Sequence, residues 1–325
     1  QNIEERLLAS DVQNQNANLD EKSFGGRIGE TSSLIMKQFA LDYCVSPTTR
    51  ENHLNNEVYI HDLDHYATGD HNCLSIPFDK LLKEGFNTRQ TDVRPANSIN
   101  TAMQLVAVIF QLQSLQQFGG VSATHLDWTM VPYVRKSFYK HYLKGLKYIK
   151  RWKDEKINKY TEKLKLSSDL DITSDLYKKR IRVYDYALEC TEKECHQAVE
   201  ALYHNLNTLQ SRSGCQLPFT SINFGTCTKE EGRLVSKYLL EVCETGLGKF
   251  HKTSIFPCVI FQSMRGVNQK KCDPNYDLFQ KALKCTSKRL YPNYCNVDWS
   301  GNIGYDRNDP KTYFSTMGKR KLQLI

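Results

Sequence analysis

The sequence of 325 residues contains no uninterrupted apolar run near the roughly 18–20 residues that a membrane-spanning helix requires. It contains no Cys-x-x-Cys pair, which argues against a zinc ribbon. Its first residues, Gln1-Asn-Ile-Glu-Glu-Arg6, have no apolar core of the kind that signal peptides carry. These absences predict a protein of the reducing cytoplasm, with no membrane span and no bound metal.

Cysteine is present, but its pattern is not that of a disulfide framework. The eleven cysteines are odd in number and scattered over a chain that is large for a disulfide-stabilised domain. We therefore expect free thiols, most of them acting as small buried apolar residues.

The positive charge is concentrated in one part of the chain. The formal net charge is +8, and residues 135–165 alone carry twelve Lys or Arg against three acidic residues, a local +9. The rest of the chain is therefore close to −1. Segment 145–180 has the composition of an exposed basic insertion.

Apolar residues recur every three to four positions over 27–44, 98–118 and 191–210, which predicts helices. Helices are also predicted for the charged segment 48–57, for the Tyr- and Lys-rich segment 128–165, and for 229–246 and 275–288. Residues 217–225 and 253–261 are continuous apolar runs, which predicts strands buried on both faces. The order of these elements predicts one α/β domain with helices outside the strands.

Residues 59–73 hold a dense cluster of titratable side chains. The cluster comprises His61, His65, His71, Asp62, Asp64, Asp70 and Cys73. Such crowding costs free energy unless each group is paired or solvated, so a purely structural turn rarely needs it. The segment is the first candidate for a functional site, and a His-rich polar surface turn is the alternative.

Two further functions are compatible with parts of the sequence. The His61-Asp62 pair with its neighbours could bind divalent ions and activate water, as in a metal-dependent phosphohydrolase. The basic helix 135–165 could bind nucleic acid, because aromatic rings alternate with its cations. These rings belong to Tyr139, Tyr142, Tyr148, Trp152 and Tyr160. The alternative for this helix is a solvated charged surface whose aromatic side chains pack inward.

A series of short motifs along the chain resembles one enzyme family. In order they are Tyr59-Ile-His61-Asp-Leu-Asp64, His71-Asn-Cys73, Arg94-Pro-Ala-Asn97-Ser-Ile-Asn100, Phe118-Gly-Gly-Val121, Leu217-Pro-Phe-Thr220, Thr245-Gly-Leu-Gly-Lys249, Ser254-Ile-Phe-Pro257, Asp273-Pro-Asn-Tyr-Asp277, Ser287-Lys-Arg-Leu-Tyr-Pro292 and Met317-Gly318. The series closely resembles the anaerobic (class III, glycyl-radical) ribonucleoside-triphosphate reductases. The resemblance extends over roughly residues 10–318 and is interrupted by the basic insertion.

The resemblance implies an α/β fold, namely the N-terminal portion of a ten-stranded barrel built from two half-barrels. In that family a finger loop inside the barrel carries a thiyl-forming cysteine, and a glycyl radical near the C-terminus is installed by a radical-SAM activase. The thiyl radical removes the ribose 3′ hydrogen, and formate is the usual reductant. A structural zinc site supports the glycine loop. The product is a deoxyribonucleoside triphosphate for DNA synthesis.

The resemblance also implies roles for three residues near the dense cluster. Cys73 matches the second cysteine of the family, whose thiol helps the 2′ hydroxyl of the ribonucleoside triphosphate leave as water. His61 matches a histidine at the nucleotide site. Tyr59 stands where the family often has the first histidine of its His-x-His-Asp motif.

A second group of residues matches the family's specificity site, where a dNTP or ATP effector binds at the interface of a homodimer. Lys140 matches a lysine of that site, and a lysine suits a triphosphate because it is a mobile cationic donor. Arg94 and Asn97 lie in the neighbouring effector segment, where the family often has Glu and Lys. The ATP-binding cone of many members has no counterpart, so activity control through a cone is not expected.

The resemblance ends after Met317-Gly318. The family continues Gly-Cys-Arg, whereas this chain has Lys319 and a non-homologous tail over 319–325. A lysine cannot replace the thiyl cysteine, because hydrogen abstraction needs an S–H bond of suitable strength. Such an ending is expected from intron read-through, from a split gene, from a frameshift or from decay of the gene. The chain alone is then expected to be catalytically silent, and a complementary C-terminal polypeptide would complete the site.

Overall fold

The computed structural model describes residues 24–69, 71–88, 90–116, 119–210, 217–299, 304–317 and 319–322, the last stretch for its backbone only. Its contacts form two compact units. The smaller unit comprises residues 1–74, 110–121 and 208–219, and the larger unit comprises 75–109, 122–207 and 220–325. No helix of the described residues is long and apolar enough to cross a membrane.

The described helices agree with most of the predicted ones. They are α1 (Phe24–Phe39), α2 (Pro47–Leu54), α3 (Phe78–Glu84), α4 (Ile99–Ser114), α5 (Leu126–Tyr148), α6 (Asp154–Leu164), α7 (Asp175–Lys178), α8 (Ile181–Thr208), α9 (Glu230–Thr245) and α10 (Tyr276–Arg289). A π-helical turn, Ala40–Cys44, continues α1. Helix α4, which lies in the predicted segment 98–118, buries Ile99, Met103, Val106 and Phe110.

The strands form one large sheet and two short pairs. They are β1 (Leu74–Ser75), β2 (Phe86–Asn87), β3 (Asp92–Val93), β4 (Val121–Ala123), β5 (Thr220–Phe224), β6 (Cys258–Ser263), β7 (Asn293–Asn296), β8 (Thr316–Met317) and β9 (Lys319–Leu322). The large sheet has the order β1-β4-β5-β6-β7, and β6 runs parallel to both of its neighbours. The prediction of an α/β fold with buried parallel strands is therefore confirmed.

The two faces of the sheet differ in polarity. On one face Ile222, Phe224, Val259 and Phe261 are buried, and the ring of Phe261 lies 6.1 Å from that of Phe279 in α10. On the other face the buried side chains include polar ones, Ser221, Asn223 and Gln262. Side chains alternate along a strand, so β5 and β6 place apolar groups against helices and polar groups on the opposite face.

The prediction of one helix over 128–165 is wrong. Helix α5 ends at Tyr148 and α6 begins at Asp154, with Arg151 between them in the left-handed region (φ +53°). Asp154 and Glu155 lie in the first turn of α6, where negative charge stabilises the amino end of a helix. The acidic pair therefore marks a new helix start in a basic run.

The prediction that segment 145–180 is an exposed insertion is also wrong with respect to its packing. Ile157, Ile172 and Tyr177 are buried in a cluster with Phe138 and Tyr142 of α5. The lysines of the segment are exposed, whereas the apolar residues lie beneath them. The basic residues of segment 145–180 thus form the outer surface of a packed part of the larger unit.

Candidate active site

The thiol of Cys73 lies in the smaller unit against the Gly119-Gly120 pair. The backbone N–H of Gly120 donates to Cys73 Sγ at 3.4 Å, and the thiol faces Asn72 Oδ1 at 3.4 Å. The N–H of Leu74 donates to the carbonyl of Gly120 at 3.0 Å. Two motifs 47 residues apart thus form one half-buried thiol environment.

The two glycines allow this contact because they have no side chain. A Cβ atom on Gly119 would lie 1.5 Å from the carbonyl oxygen of Asn72, and one on Gly120 would lie 2.7 Å from the ring of Phe219. Sequence reasoning placed the pair in a motif but did not assign it to the site. Two adjacent glycines directly after a helix could have indicated a close backbone contact at this position, because such a contact requires glycine.

His61 and Tyr59 line one small cavity of about 260 Å³ in the smaller unit. His61 Nδ1 pairs with the carboxylate of Asp62, and the ring of Tyr59 stands edge-on to that of His61 at 6.3 Å. Lys37 and His53, which sequence reasoning missed, line the same cavity and add basic groups to it. Cys73 is not among the lining residues.

The other titratable side chains of the dense cluster form separate pairs. His65 Nε2 lies 3.6 Å from Asp64 Oδ2, and the same carboxylate oxygen accepts the hydroxyl of Ser33 at 2.7 Å. In the part of the chain that the structure describes, which omits Asp70, no three His, Cys, Asp or Glu side chains form a metal-binding group. The geometry therefore does not favour the phosphohydrolase.

Arg94, Asn97 and Lys140, the residues predicted to bind an effector, lie in the larger unit, where helix α5 meets the start of α4. Lys136 Nζ donates to the carbonyl of Ala96 at 3.3 Å, and the N–H of Ile99 donates to Ser137 Oγ at 3.0 Å. Lys140 follows Lys136 by one helical turn. The fold thus brings the segment of Arg94 and Asn97 to the helix that carries Lys140, and all three side chains are exposed.

A half-buried histidine–glutamate pair stands beside Lys140. His141 Nε2 contacts Glu194 Oε2 of α8 at 2.7 Å. Burial raises the pKa of Glu194, but the hydrogen bond and charge of His141 lower it further, so that the net pKa is below its ordinary value. Sequence reasoning missed this pair, since its partners are 53 residues apart and neither stands in a motif.

The aromatic residues of the basic segment mostly pack inward. Tyr142 is fully buried and its hydroxyl donates to the carbonyl of Tyr177 at 3.1 Å. The ring of Trp152 lies 5.1 Å from that of Tyr160, and Arg180 stands over both. Stacking on nucleic-acid bases needs exposed rings, and of the five only Tyr148 is largely exposed. The inward-packing alternative is confirmed.

Comparison with known proteins supplies independent findings. A family model described as anaerobic ribonucleoside-triphosphate reductase matches residues 15–322. The anaerobic ribonucleoside-triphosphate reductase of Haemophilus influenzae is 31% identical over 91% of this chain and 38% of its own length. That of Escherichia coli is 30% identical over 88% of this chain and 36% of its own length. The chain thus spans less than two fifths of the length of these relatives.

A solved structure gives the same architecture. The anaerobic ribonucleotide reductase from Thermotoga maritima, in complex with dATP and CTP, superposes with a TM-score of 0.56. The match covers 87% of this chain and 44% of that one at 14% sequence identity. At that identity the likeness establishes a shared fold.

Proposed function

Because this chain belongs to the anaerobic ribonucleoside-triphosphate reductase family, we propose that it forms the N-terminal part of an enzyme that reduces ribonucleoside triphosphates to deoxyribonucleoside triphosphates. The observation that carries the proposal is the environment of Cys73. The His-Asn-Cys and Gly-Gly motifs meet at its sulfur, with a backbone N–H directed at Sγ.

Cys73 acts as the proton donor for the leaving 2′ hydroxyl. On the ribose 3′ radical, the C2′–O bond breaks and its electron pair goes to the oxygen, which takes the thiol proton and departs as water. The sulfur keeps the electron pair of its S–H bond, and the 3′ hydroxyl loses its proton to the medium, so that a neutral 3′-keto radical remains. The Gly120 N–H then faces a negatively charged sulfur and stabilises it by a charge-assisted hydrogen bond. The close contact of Gly119 with Asn72 fixes the sulfur, and such fixed donors lower the cost of charge development.

The two nucleotide sites are proposed from the family membership of the chain and from the residues present at each site. His61, with Lys37 and His53 in the same cavity, contacts the substrate triphosphate, and the hydroxyl of Tyr59 replaces one imidazole donor. Lys140, Arg94 and Asn97 bind the dNTP or ATP effector, since two exposed cations and an amide suit phosphates and a base. The Thermotoga maritima complex holds dATP and CTP, which are nucleotides of these two classes.

For the whole enzyme we propose a cytoplasmic homodimer with a structural zinc, completed by a C-terminal polypeptide. Its glycyl radical is installed by a radical-SAM activase, and formate is its reductant. Among the described residues, no three His, Cys, Asp or Glu side chains form a group that could hold zinc. The chain's own contribution is the proton of Cys73 and the two nucleotide sites.

The test is anaerobic conversion of CTP to dCTP by the enzyme that contains this chain, with activase and formate. Cys73→Ser should lower turnover about 10²–10⁴-fold, the usual effect of removing a proton-transfer group. Cys44→Ser is the matched control, because Cys44 is an exposed cysteine of the same unit. Full activity in Cys73→Ser would refute the assigned role. A folded wild-type enzyme that reduces no ribonucleotide would refute the function itself.

A further inference from the structure

The extended segment Phe314–Met317 lies on the polar face of the large sheet, within the larger unit. Asn223 of β5 contacts both backbone groups of one of its residues. Asn223 Oδ1 accepts the N–H of Thr316 at 3.2 Å, and Asn223 Nδ2 donates to the carbonyl of Thr316 at 2.9 Å. The side-chain amide therefore pairs with Thr316 as a neighbouring strand would pair with it.

A second amide contacts the segment two residues earlier. Gln262 Nε2 of β6 donates to the carbonyl of Phe314 at 3.2 Å, and the thiol of Cys295 in β7 lies 3.5 Å from the same oxygen. Residues two apart in an extended chain face the same side. Phe314 and Thr316 are thus contacted in register by three adjacent strands.

Both amides also contact the polypeptide at β4. Asn223 Nδ2 lies 3.1 Å from the carbonyl of Ala123, and Gln262 Nε2 lies 3.3 Å from that of Thr124. Asn223 therefore bridges the last residue of β4 to the segment, and Gln262 bridges the next residue, Thr124, to it. Both side chains are 0% exposed, and a buried amide costs free energy unless its hydrogen bonds are made. Asn223 makes hydrogen bonds with both of its amide atoms, whereas among the described residues Gln262 makes them through Nε2 and its Oε1 has no partner.

We propose that Asn223 is a positioning residue that, together with Gln262, fixes the register of Phe314–Met317 and thereby the path of the chain beyond Met317. This inference rests on the proposed function, because in the family the thiyl cysteine follows this segment. A slip of one residue would shift the backbone by about 3.3 Å and reverse its faces. Reacting groups must be held within about 0.5 Å, so register decides whether they meet.

The test is hydrogen–deuterium exchange of the folded chain, read by mass spectrometry in peptides that cover residues 313–317. Asn223→Ala removes both contacts to Thr316, and exchange in these peptides should become at least about tenfold faster. Peptides of β6 and α10 should keep their wild-type rates. Asn223→Asp, which keeps the acceptor and loses the donor, should give a smaller acceleration in the same peptides.

Asn268→Ala is the matched control. Asn268 is also a fully buried asparagine with three hydrogen bonds, to Met264, Gly225 and Gln262, and none of them reaches residues 313–317. Acceleration confined to 313–317 in the Asn223 variants supports the proposal. Equal acceleration in Asn268→Ala, or none in Asn223→Ala, overturns it. If Asn223→Ala unfolds globally, Asn223→Asp decides by the same criterion.

The experiment separates this proposal from the function on which it rests. Amide exchange needs no nucleotide, radical or activase, so an inactive enzyme leaves its outcome unchanged. In an active enzyme whose chain carries the thiyl cysteine after this segment, in place of Lys319, Asn223→Ala should lower kcat about tenfold or more with KM held within twofold, since a positioning change affects the reacting geometry. Unchanged kcat together with selectively faster exchange would show that the register is fixed but does not serve the reaction.

Discussion

The paired side chains of the dense cluster in the smaller unit differ in kind from the buried amide contacts on the large sheet of the larger unit. In the smaller unit, His61 pairs with Asp62 and His65 with Asp64, so each partner is adjacent in sequence and at least partly solvated. In the larger unit, Asn223 is fully buried and contacts Ala123 and Thr316, which lie 100 and 93 residues away. Local pairs can be recognised in a sequence, whereas long-range pairs exist only once the sheet has formed.

The comparison extends to surface composition. Helix α1 and the following turn in the smaller unit expose Phe24, Ile28, Ile35, Phe39 and Tyr43. In the larger unit even the basic segment has its own buried core. Most of the stability should therefore come from the larger unit, and most of the site's reactive groups from the smaller one. Substitutions in each unit test this difference.

The largest effect is expected at Tyr177, in the core beneath the basic surface. Tyr177→Ala removes a fully buried ring that packs 5.0 Å from Phe138 and 4.9 Å from Tyr142. Loss of a buried aromatic side chain costs about 3–5 kcal/mol of unfolding free energy. Tyr148→Ala, at a largely exposed tyrosine, should change it by less than about 0.5 kcal/mol. Equal urea midpoints for the two variants would contradict the packed core.

A smaller loss is expected at Asp127, where α5 meets the turn after β5. Asp127 Oδ2 accepts the N–H groups of Gly225 and Cys227, each at 2.9 Å, in a fully buried position. Asp127→Ala leaves both donors unpaired, which should cost about 2–4 kcal/mol. Asp175→Ala, at an exposed carboxylate, should be nearly neutral. Similar unfolding free energies for both would show that the buried contacts are not stabilising.

In the smaller unit, Gly119→Ala tests the thiol environment. The new methyl group would collide with the backbone of Asn72, and such overpacking costs about 1–3 kcal/mol. The displaced loop should expose the thiol, so alkylation of Cys73 should become faster in peptide mapping. Gly69→Ala is the control, because Gly69 has open space around it and its cost is only that of a left-handed residue. Unchanged alkylation of Cys73 in Gly119→Ala would contradict the close contact.

The smallest effect on stability is expected from the protonation of Asp79 at low pH. Burial raises the pKa of Asp79, but the hydrogen bond and charge of His125, with a bond from Thr129, lower it below its ordinary 3.8. A carboxylate with a lower pKa in the folded state stabilises the fold above its unfolded pKa and loses that effect as pH falls through the folded pKa. The wild type should therefore lose stability below about pH 4 more steeply than Asp79→Asn. If urea unfolding shows the same loss of unfolding free energy below about pH 4 in the wild type and in Asp79→Asn, this prediction is contradicted.

Much of the fold could be predicted from apolar periodicity. Helices α9 and α10 were expected within a few residues of their observed bounds, because each buries one apolar face. Strands β5 and β6 were expected from continuous apolar runs, because both faces of each strand are buried. The break between α5 and α6 was missed, since lysine and tyrosine suit a helix as well as a loop. The start signal was present in Asp154 and Glu155.

The site was predictable only in part. Cys73 and His61 could be predicted from the family motifs. The residues that surround them in the structure could not be predicted from the sequence. The Gly120 N–H reaches Cys73 across 47 residues, and Glu194 reaches His141 across 53. These contacts depend on how elements pack, so residue type alone did not reveal them. The roles of the named residues in nucleotide binding and catalysis stay predictions.

The most direct measurement of the central claim is equilibrium dialysis of dATP against the purified chain, with Lys140→Ala and Lys163→Ala as variants. The account predicts saturable binding that weakens at least about tenfold in Lys140→Ala, a difference of about 1.4 kcal/mol. Binding should be unchanged in Lys163→Ala, whose exposed lysine lies on α6. A folded wild-type chain that binds neither dATP nor any other dNTP nor ATP, or equal binding by both variants, would contradict the account.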